Sequence, residues 1–432
     1  MLRKRLLSSI GFTLALLWPC TALAQNPPSS CTTTSQNLWV RDQLTEAYYW
    51  YQHLPSNVNP ASFNSPAAYL EAVRYRPIDN SYSYITTAAA SDAFFSDSQA
   101  IKYGFTNQVR TDDVLVLQVW PDSGAADAGL ERGDRIVQIN GTSVAAHVAN
   151  GTLNAAFGPD VVGQQASIVF EKPSGERKSS QMTKRLATIP TVSVTRLFEI
   201  DGRKVGYVMF NNFVQPSTAA LNDAFAALKT ADANELVLDL RYNGGGFVNV
   251  ALHLASLIGG TRTSGQVAFN YQHNDKLGPV YDKIIRFTDP ENALNIERLF
   301  VIATRSTASA SELVINALRA FIPVIVVGDS TYGKPVGSYL MPFCDKVLSA
   351  IAFSIKNANL EGDYFDGLPA DCPALDDASH QLGDPEEASF AEALTYIRTG
   401  ACTPHTEAQA RALRLRPSMP RAIGWAALIN AQ

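Results

Sequence analysis

Leu238-Asp239-Leu240-Arg241-Tyr242-Asn243-Gly244-Gly245-Gly246 decides how the largest part of this chain folds. Its first half closes a stretch from Glu235 to Leu240 whose centre is continuously apolar, as a strand buried on both faces should be. Its three glycines form a turn that opens a helix reaching about Leu257. The arrangement returns downstream. Leu299 to Ala303 reads as a strand, Ser306-Thr307-Ala308-Ser309-Ala310-Ser311-Glu312 holds the turn, and Ser309 to Phe321 reads as a helix. Val324 to Val327 is a further strand, followed by Tyr332-Gly333-Lys334. Upstream, Val205 to Phe210 is a strand and Ser217 opens a helix through Leu221, Phe225 and Leu228. This alternation, from Val194 to Gly400, predicts an α/β core of βαβ units with a sheet parallel at least in part.

In such a sheet the three loops leave at one carboxyl edge, where open α/β folds bind ligands. A serine, a lysine and a glycine-rich loop are therefore expected to meet in space. Ser309 stands at a helix N-terminus, where free N–H groups favour a developing oxyanion. The N–H of Ala310 is one candidate donor and that of Gly245 a second. A serine hydroxyl needs an adjacent base. Lys334 can serve if burial lowers its pKa. Its neighbours are Gly333 and Pro335, and no acidic residue lies within four positions. Taken singly, a glycine turn, a small-residue helix start and a lysine in a loop are ordinary; the combination is informative. The six histidines are scattered and no G-x-S-x-G elbow occurs, which weakens a His-based triad. His253 reads as a helix residue and His380 as a weak alternative base. Asp239 and Arg241 are assigned to structure, and Glu312 to bracing the nucleophile helix.

The chain has 432 residues, 46% apolar and 17% charged, which implies two or three globular domains. A net charge of −5 gives no polyanion-binding signal, so no nucleic-acid partner is expected. Lys4 and Arg5 precede a short apolar run through Leu16, Leu17 and Trp18, and Ala22-Leu23-Ala24 supplies small residues. Residues 1–24 read as a secretory signal, and no later segment is apolar for long enough to span a bilayer. The expectation is an exported protein, periplasmic or secreted. Cys31, Cys344, Cys372 and Cys402 then remain, an even number in an oxidising compartment. Three pairings exist. Cys344 with Cys372 is favoured because both lie in one Gly/Pro/Asp-rich stretch, leaving Cys31 with Cys402. Their spacing makes a poor zinc signature, and neither metal nor cofactor is expected.

The run 238–246, the Ser-Ala-Ser-Glu segment 309–312 and the Tyr-Gly-Lys segment 332–334 resemble the carboxy-terminal processing, or tail-specific, proteases. The resemblance covers most of the mature chain. It implies a crotonase/ClpP-like core and a serine endopeptidase in which Ser309 is the nucleophile. Lys334, 25 residues on, is implied as the general base. Two positions depart from the family pattern. Many members carry a Gln four residues after the lysine to orient it; here Ser338 stands there, and its hydroxyl is the expected, weaker substitute for that contact. Some carry an acidic residue eleven positions after the nucleophile; here it is Ala320.

Residues 89–188 read as a compact inserted module of short strands, with turns at Asn140-Gly141 and Pro173-Ser174-Gly175. Lys102-Tyr103-Gly104-Phe105 looks like the carboxylate-binding loop of a PDZ domain. Tyr103, Gly104 and Phe105 are the implied peptide-binding positions, for substrates with free, apolar C-termini. Residues 25–88 are expected to be a small helical leader, loose over 25–35. Residues 189–402 form the core, and 403–432 a loosely attached tail carrying Arg411, Arg414, Arg416 and Arg421. Oligomerisation is left open. A peptide- or ligand-binding scaffold on the same fold, without turnover, is the alternative to an enzyme.

Overall fold

The computed structural model describes residues 26–404. The expected signal and nearly all of the arginine-bearing tail lie outside those residues. Among the described residues no helix is long and apolar enough to cross a membrane.

The core is a six-stranded sheet. Val192–Ile200 pairs antiparallel with Arg203–Phe210. Glu235–Asp239, Leu299–Ala303, Val324–Gly328 and Cys372–Pro373 then follow in parallel register. The run 235–239 is buried at every position because both of its faces are covered. Leu236 and Leu238 meet the helices Ser217–Thr230, Val248–Gly259 and Ala310–Arg319. Val237, Phe300 and Val327 point the other way, onto Phe390, Leu394 and Ile397 of the helix Ala388–Thr399.

A second, antiparallel sheet is built around the long strand Lys346–Asn357, which pairs with both Val267–His273 and Val336–Phe343. The N-terminal segment joins it: Tyr84–Thr87 pairs along Ser349 to Lys346. That segment is thus part of the core, not an appended leader. Its helix Thr33–Ala47 begins inside the stretch expected to be loose, and the Thr32 side chain caps it by accepting the Ser35 N–H.

The inserted module enters and leaves through a two-stranded stem, Gln99–Lys102 against Arg185–Thr188. Its own sheet runs from Phe105–Val109 at one edge to Arg177–Thr183 at the other.

The expected cysteine pairing is overturned. Cys31 bonds Cys344, and Cys372 bonds Cys402. Composition of the intervening chain was a poor guide, because strand pairing separates Cys344 from Cys372. Cys344 lies at the tip of the hairpin 336–357, beside the first helix, where Trp39 stacks on Phe343 at 4.6 Å. Cys372 enters the edge of the parallel sheet opposite Val327.

Candidate active site

The three loops do converge. A Cβ added to Gly245 would stand 2.8 Å from the Ser309 Cβ and 3.1 Å from the Ala310 nitrogen. Only glycine fits there, and its φ of +107° also favours glycine. Asn243 knits the loops together. Its carbonyl accepts the Ala308 N–H and the Ser311 hydroxyl, each at 3.0 Å. Its amide donates to Phe210 O at 3.0 Å. Its Oδ1 accepts the N–H of Gly245 at 2.9 Å. The donor expected from Gly245 is therefore already engaged by a side chain. The Ala310 N–H opens the helix Ala310–Arg319, so no carbonyl of that helix can accept it.

Ser309 is part-buried and carries φ +57° and ψ −113°, a conformation that L-residues adopt at a cost of about 1–3 kcal/mol. Glu312 holds it there. The fully buried Glu312 carboxylate accepts four donors. Oε2 takes the N–H of Ser309 at 2.8 Å and of Lys334 at 2.9 Å. Oε1 takes the N–H of Gly333 at 2.7 Å and the Thr331 hydroxyl at 2.5 Å. Burial pushes the Glu312 pKa up, and these four donors oppose the rise. One carboxylate thus fixes the main chain of the serine loop and of the lysine loop together, which is more than the expected bracing of one helix.

Lys334 is part-buried, and desolvation lowers its pKa to about 8. The carboxylates of Asp79 and Glu312 oppose that fall. Among the described residues no carboxylate forms an ion pair with its ammonium. The Nζ lies over the Tyr82 ring, 5.9 Å from its centroid. Ser338 does not take up the orienting role: its hydroxyl meets Ser349 Oγ at 2.6 Å, and no hydrogen bond joins it to Lys334. His380 pairs with Asp377 at 2.7 Å and His253 with Asn222 at 2.8 Å, so neither is hydrogen-bonded to Ser309. Ala320 caps the far end of the nucleophile helix.

Asp239 and Arg241 belong to a buried charge network. Arg241 bonds Asp239, Asp376 and both oxygens of Glu387. Arg132, from the inserted module, enters the same network through Asp376 at 2.8 Å and the Tyr242 hydroxyl at 2.7 Å. Burial opposes ionisation of Asp376, but Arg241 and Arg132 hold its pKa down at about 2. Tyr242 lies two residues before the glycine loop, so the module is wired to that loop. The sequence held no sign of this contact, whose partners are 110 and 244 residues apart.

In the module, the side chains of Tyr103 and Phe105 are fully buried and the Tyr103 hydroxyl donates to Phe157 O at 2.8 Å. They form its core and do not line a groove. The following strand, Phe105–Val109, is an edge strand paired only with Val114–Val119.

Comparison with known proteins agrees with this layout. Residues 204–362 match the model of peptidase family S41, residues 35–84 the peptidase S41 N-terminal domain and residues 115–151 a PDZ domain. The chloroplastic C-terminal processing peptidase of Tetradesmus obliquus is 28% identical over 233 residues, covering 51% of this chain and 48% of that protein. Carboxy-terminal processing protease CtpB of Bacillus subtilis is 27% identical over 256 residues, covering 58% and 51%. The chain spans about half the length of the curated relatives it matches. A solved structure described as an S41 protease from Bacteroides fragilis matches with a TM-score of 0.68 and 25% identity, over 84% of this chain and 97% of that one. The photosystem II D1 C-terminal processing protease shares the fold, with a TM-score of 0.51 and 20% identity over 81% and 94%. With its N-terminal segment, its sheet core and its inserted PDZ domain each matched, the chain carries a peptidase family S41 domain at residues 204–362, together with the N-terminal domain of that family.

Proposed function

We propose that this chain is an exported serine endopeptidase working through a Ser309–Lys334 dyad. The observation that carries the reading is the Glu312 bridge, which ties the backbone of a strained serine to that of a lysine whose pKa has fallen to about 8. A neutral amine near that pH can accept a hydroxyl proton. Ser309 Oγ attacks the peptide carbonyl carbon as its proton passes to Lys334 Nζ. The oxyanion that forms is met by the Ala310 N–H. Gly245 adds a second donor if substrate displaces Asn243 Oδ1. The C–N bond then breaks, Lys334 returns the proton to the leaving amine, and water hydrolyses the acyl-enzyme.

Substrate selection is assigned to the PDZ domain. Its free strand edge at Phe105–Val109 suits an added peptide strand, with main-chain groups of the 102–105 loop taking a terminal carboxylate. The two disulfides suit an oxidising, extracytoplasmic compartment.

The test is cleavage of an unfolded protein with a free, apolar C-terminus by the wild-type chain and by Ser309→Ala. The reading expects cleavage by the first and none by the second. Binding without cleavage by either chain would favour the scaffold alternative, and equal cleavage by both would remove Ser309 as nucleophile.

A further inference from the structure

Two residues of the N-terminal segment, Ser81 and Tyr82, lie against the loop that carries Lys334. The Tyr82 hydroxyl donates to the Gly333 carbonyl at 2.5 Å. Ser81 Oγ and the Tyr332 hydroxyl are 2.6 Å apart. The Lys334 Nζ stands over the Tyr82 ring. Three successive residues, 332 to 334, are thus each touched by 81 or 82.

The contacting segment is itself held from behind. Asp79 is fully buried, and its Oδ1 accepts the N–H of Tyr82 and of Ser83, each at 2.9 Å. Its Oδ2 accepts the Tyr48 hydroxyl at 2.8 Å. Arg74 donates to Ser83 O at 3.0 Å, and Ser83 Oγ accepts the Ile351 N–H at 3.0 Å. Such a frame leaves the Tyr82 ring little freedom.

We propose that Tyr82, fixed by Asp79, is the positioning residue for Lys334, so that the N-terminal segment supplies the orienting contact that Ser338 does not. The inference rests on the Ser309–Lys334 reading. The chemistry suits a base. An aromatic face attracts an ammonium without offering an atom that accepts its proton. It holds Nζ in place while excluding water, and the hydroxyl fixes the carbonyl just before the lysine. The charged and titratable groups around Lys334 are Asp79 and Glu312, with the phenols of Tyr48, Tyr82 and Tyr332. Burial lowers the lysine pKa and the two carboxylates raise it, so removing the ring and removing the Asp79 charge act in opposite directions.

The experiment measures kcat and KM of the full-length chain across the acid limb of its pH profile, with a melting temperature for every variant. Tyr82→Ala admits water to Nζ; its limb is expected to move to higher pH and its kcat to fall about tenfold, with KM nearly unchanged. Asp79→Asn is expected to move the limb to lower pH. Tyr82→Phe keeps the ring and should keep the limb, losing only a few-fold in kcat. A defect confined to folding would lower activity in step with the folded fraction and leave the limb where it was. A folded Tyr82→Ala with wild-type kcat and limb overturns the inference, provided Lys334→Ala is inactive. Activity in Lys334→Ala would instead remove the dyad reading itself. Should Tyr82→Ala not fold, Tyr82→Leu decides, since it fills the space without a ring face or a hydroxyl: a lowered kcat at a wild-type melting temperature supports the proposal, and a wild-type kcat overturns it.

Discussion

Glu312 accepts the backbone N–H of Lys334 at 2.9 Å, and among the described residues no carboxylate forms an ion pair with the ammonium of that lysine. The distinction matters chemically, because a carboxylate paired to the ammonium would hold the proton that a base must release. Glu312→Gln turns one acceptor oxygen into a donor facing backbone N–H groups. The expected loss is about 2–4 kcal/mol of stability, read by denaturant unfolding. Peptide cleavage should fall with it by more than the loss of folded protein explains.

The pH profile of cleavage should rise with pH through about 8. Lys334 must be neutral to accept the Ser309 proton, and its pKa is lowered to about that value. Stability carries the same sign. Between about 8 and the ordinary 10.5 the unfolded chain binds more protons at this site than the folded one, so this group makes folding more favourable as pH rises. A kcat profile flat from pH 6 to 10 would be incompatible with a lysine base.

Arg132→Met should separate the PDZ domain from the core. It strips Asp376 of one of two cationic partners and leaves buried acceptors on the core side. Asp376 keeps Arg241, so the expected cost is that of buried acceptors losing a donor, about 1–3 kcal/mol. Differential scanning calorimetry should show a lower transition. Cleavage of C-terminal-tagged substrates should fall while an isolated peptide still binds, since the edge strand Phe105–Val109 is untouched.

Cys31→Ser combined with Cys344→Ser should lower stability by about 2–5 kcal/mol. It should also impair catalysis, because this bond ties the segment carrying Asp79 and Tyr82 to the hairpin that follows Lys334. Chemical denaturation and the cleavage assay, run on the same preparation, separate the two effects.

The core was legible because its signals are local. The apolar centre 236–238 of the strand, the three glycines that follow at 244–246 and the small residues before the helix at Ala310 each dictate their own backbone. Parallel topology then fixes where they meet. Contacts set by tertiary packing alone left no such mark. Arg132 reads as a turn residue of the PDZ domain, and nothing near it announces Tyr242. Asp79 and Tyr82 follow a Pro-containing loop that looks like the end of a leader. Proximity along the chain misplaces the cysteine pairs, because Cys344 turns a hairpin of the antiparallel sheet while Cys372 lies at the edge of the parallel one. Lys334 shows the converse: it has no acidic sequence neighbour, yet two carboxylates, 255 and 22 positions upstream, set its electrostatics.

The stacking of Tyr82 under Lys334 also bears on when the chain becomes hazardous. The two residues are 252 positions apart, so their contact does not exist until the N-terminal segment has docked on the hairpin that follows Lys334. Until then the burial that lowers the Lys334 pKa is incomplete. On the Ser309–Lys334 reading, a partly made chain, or one whose Cys31 and Cys344 are still thiols, lacks this contact, and the site is completed only as the N-terminal segment docks.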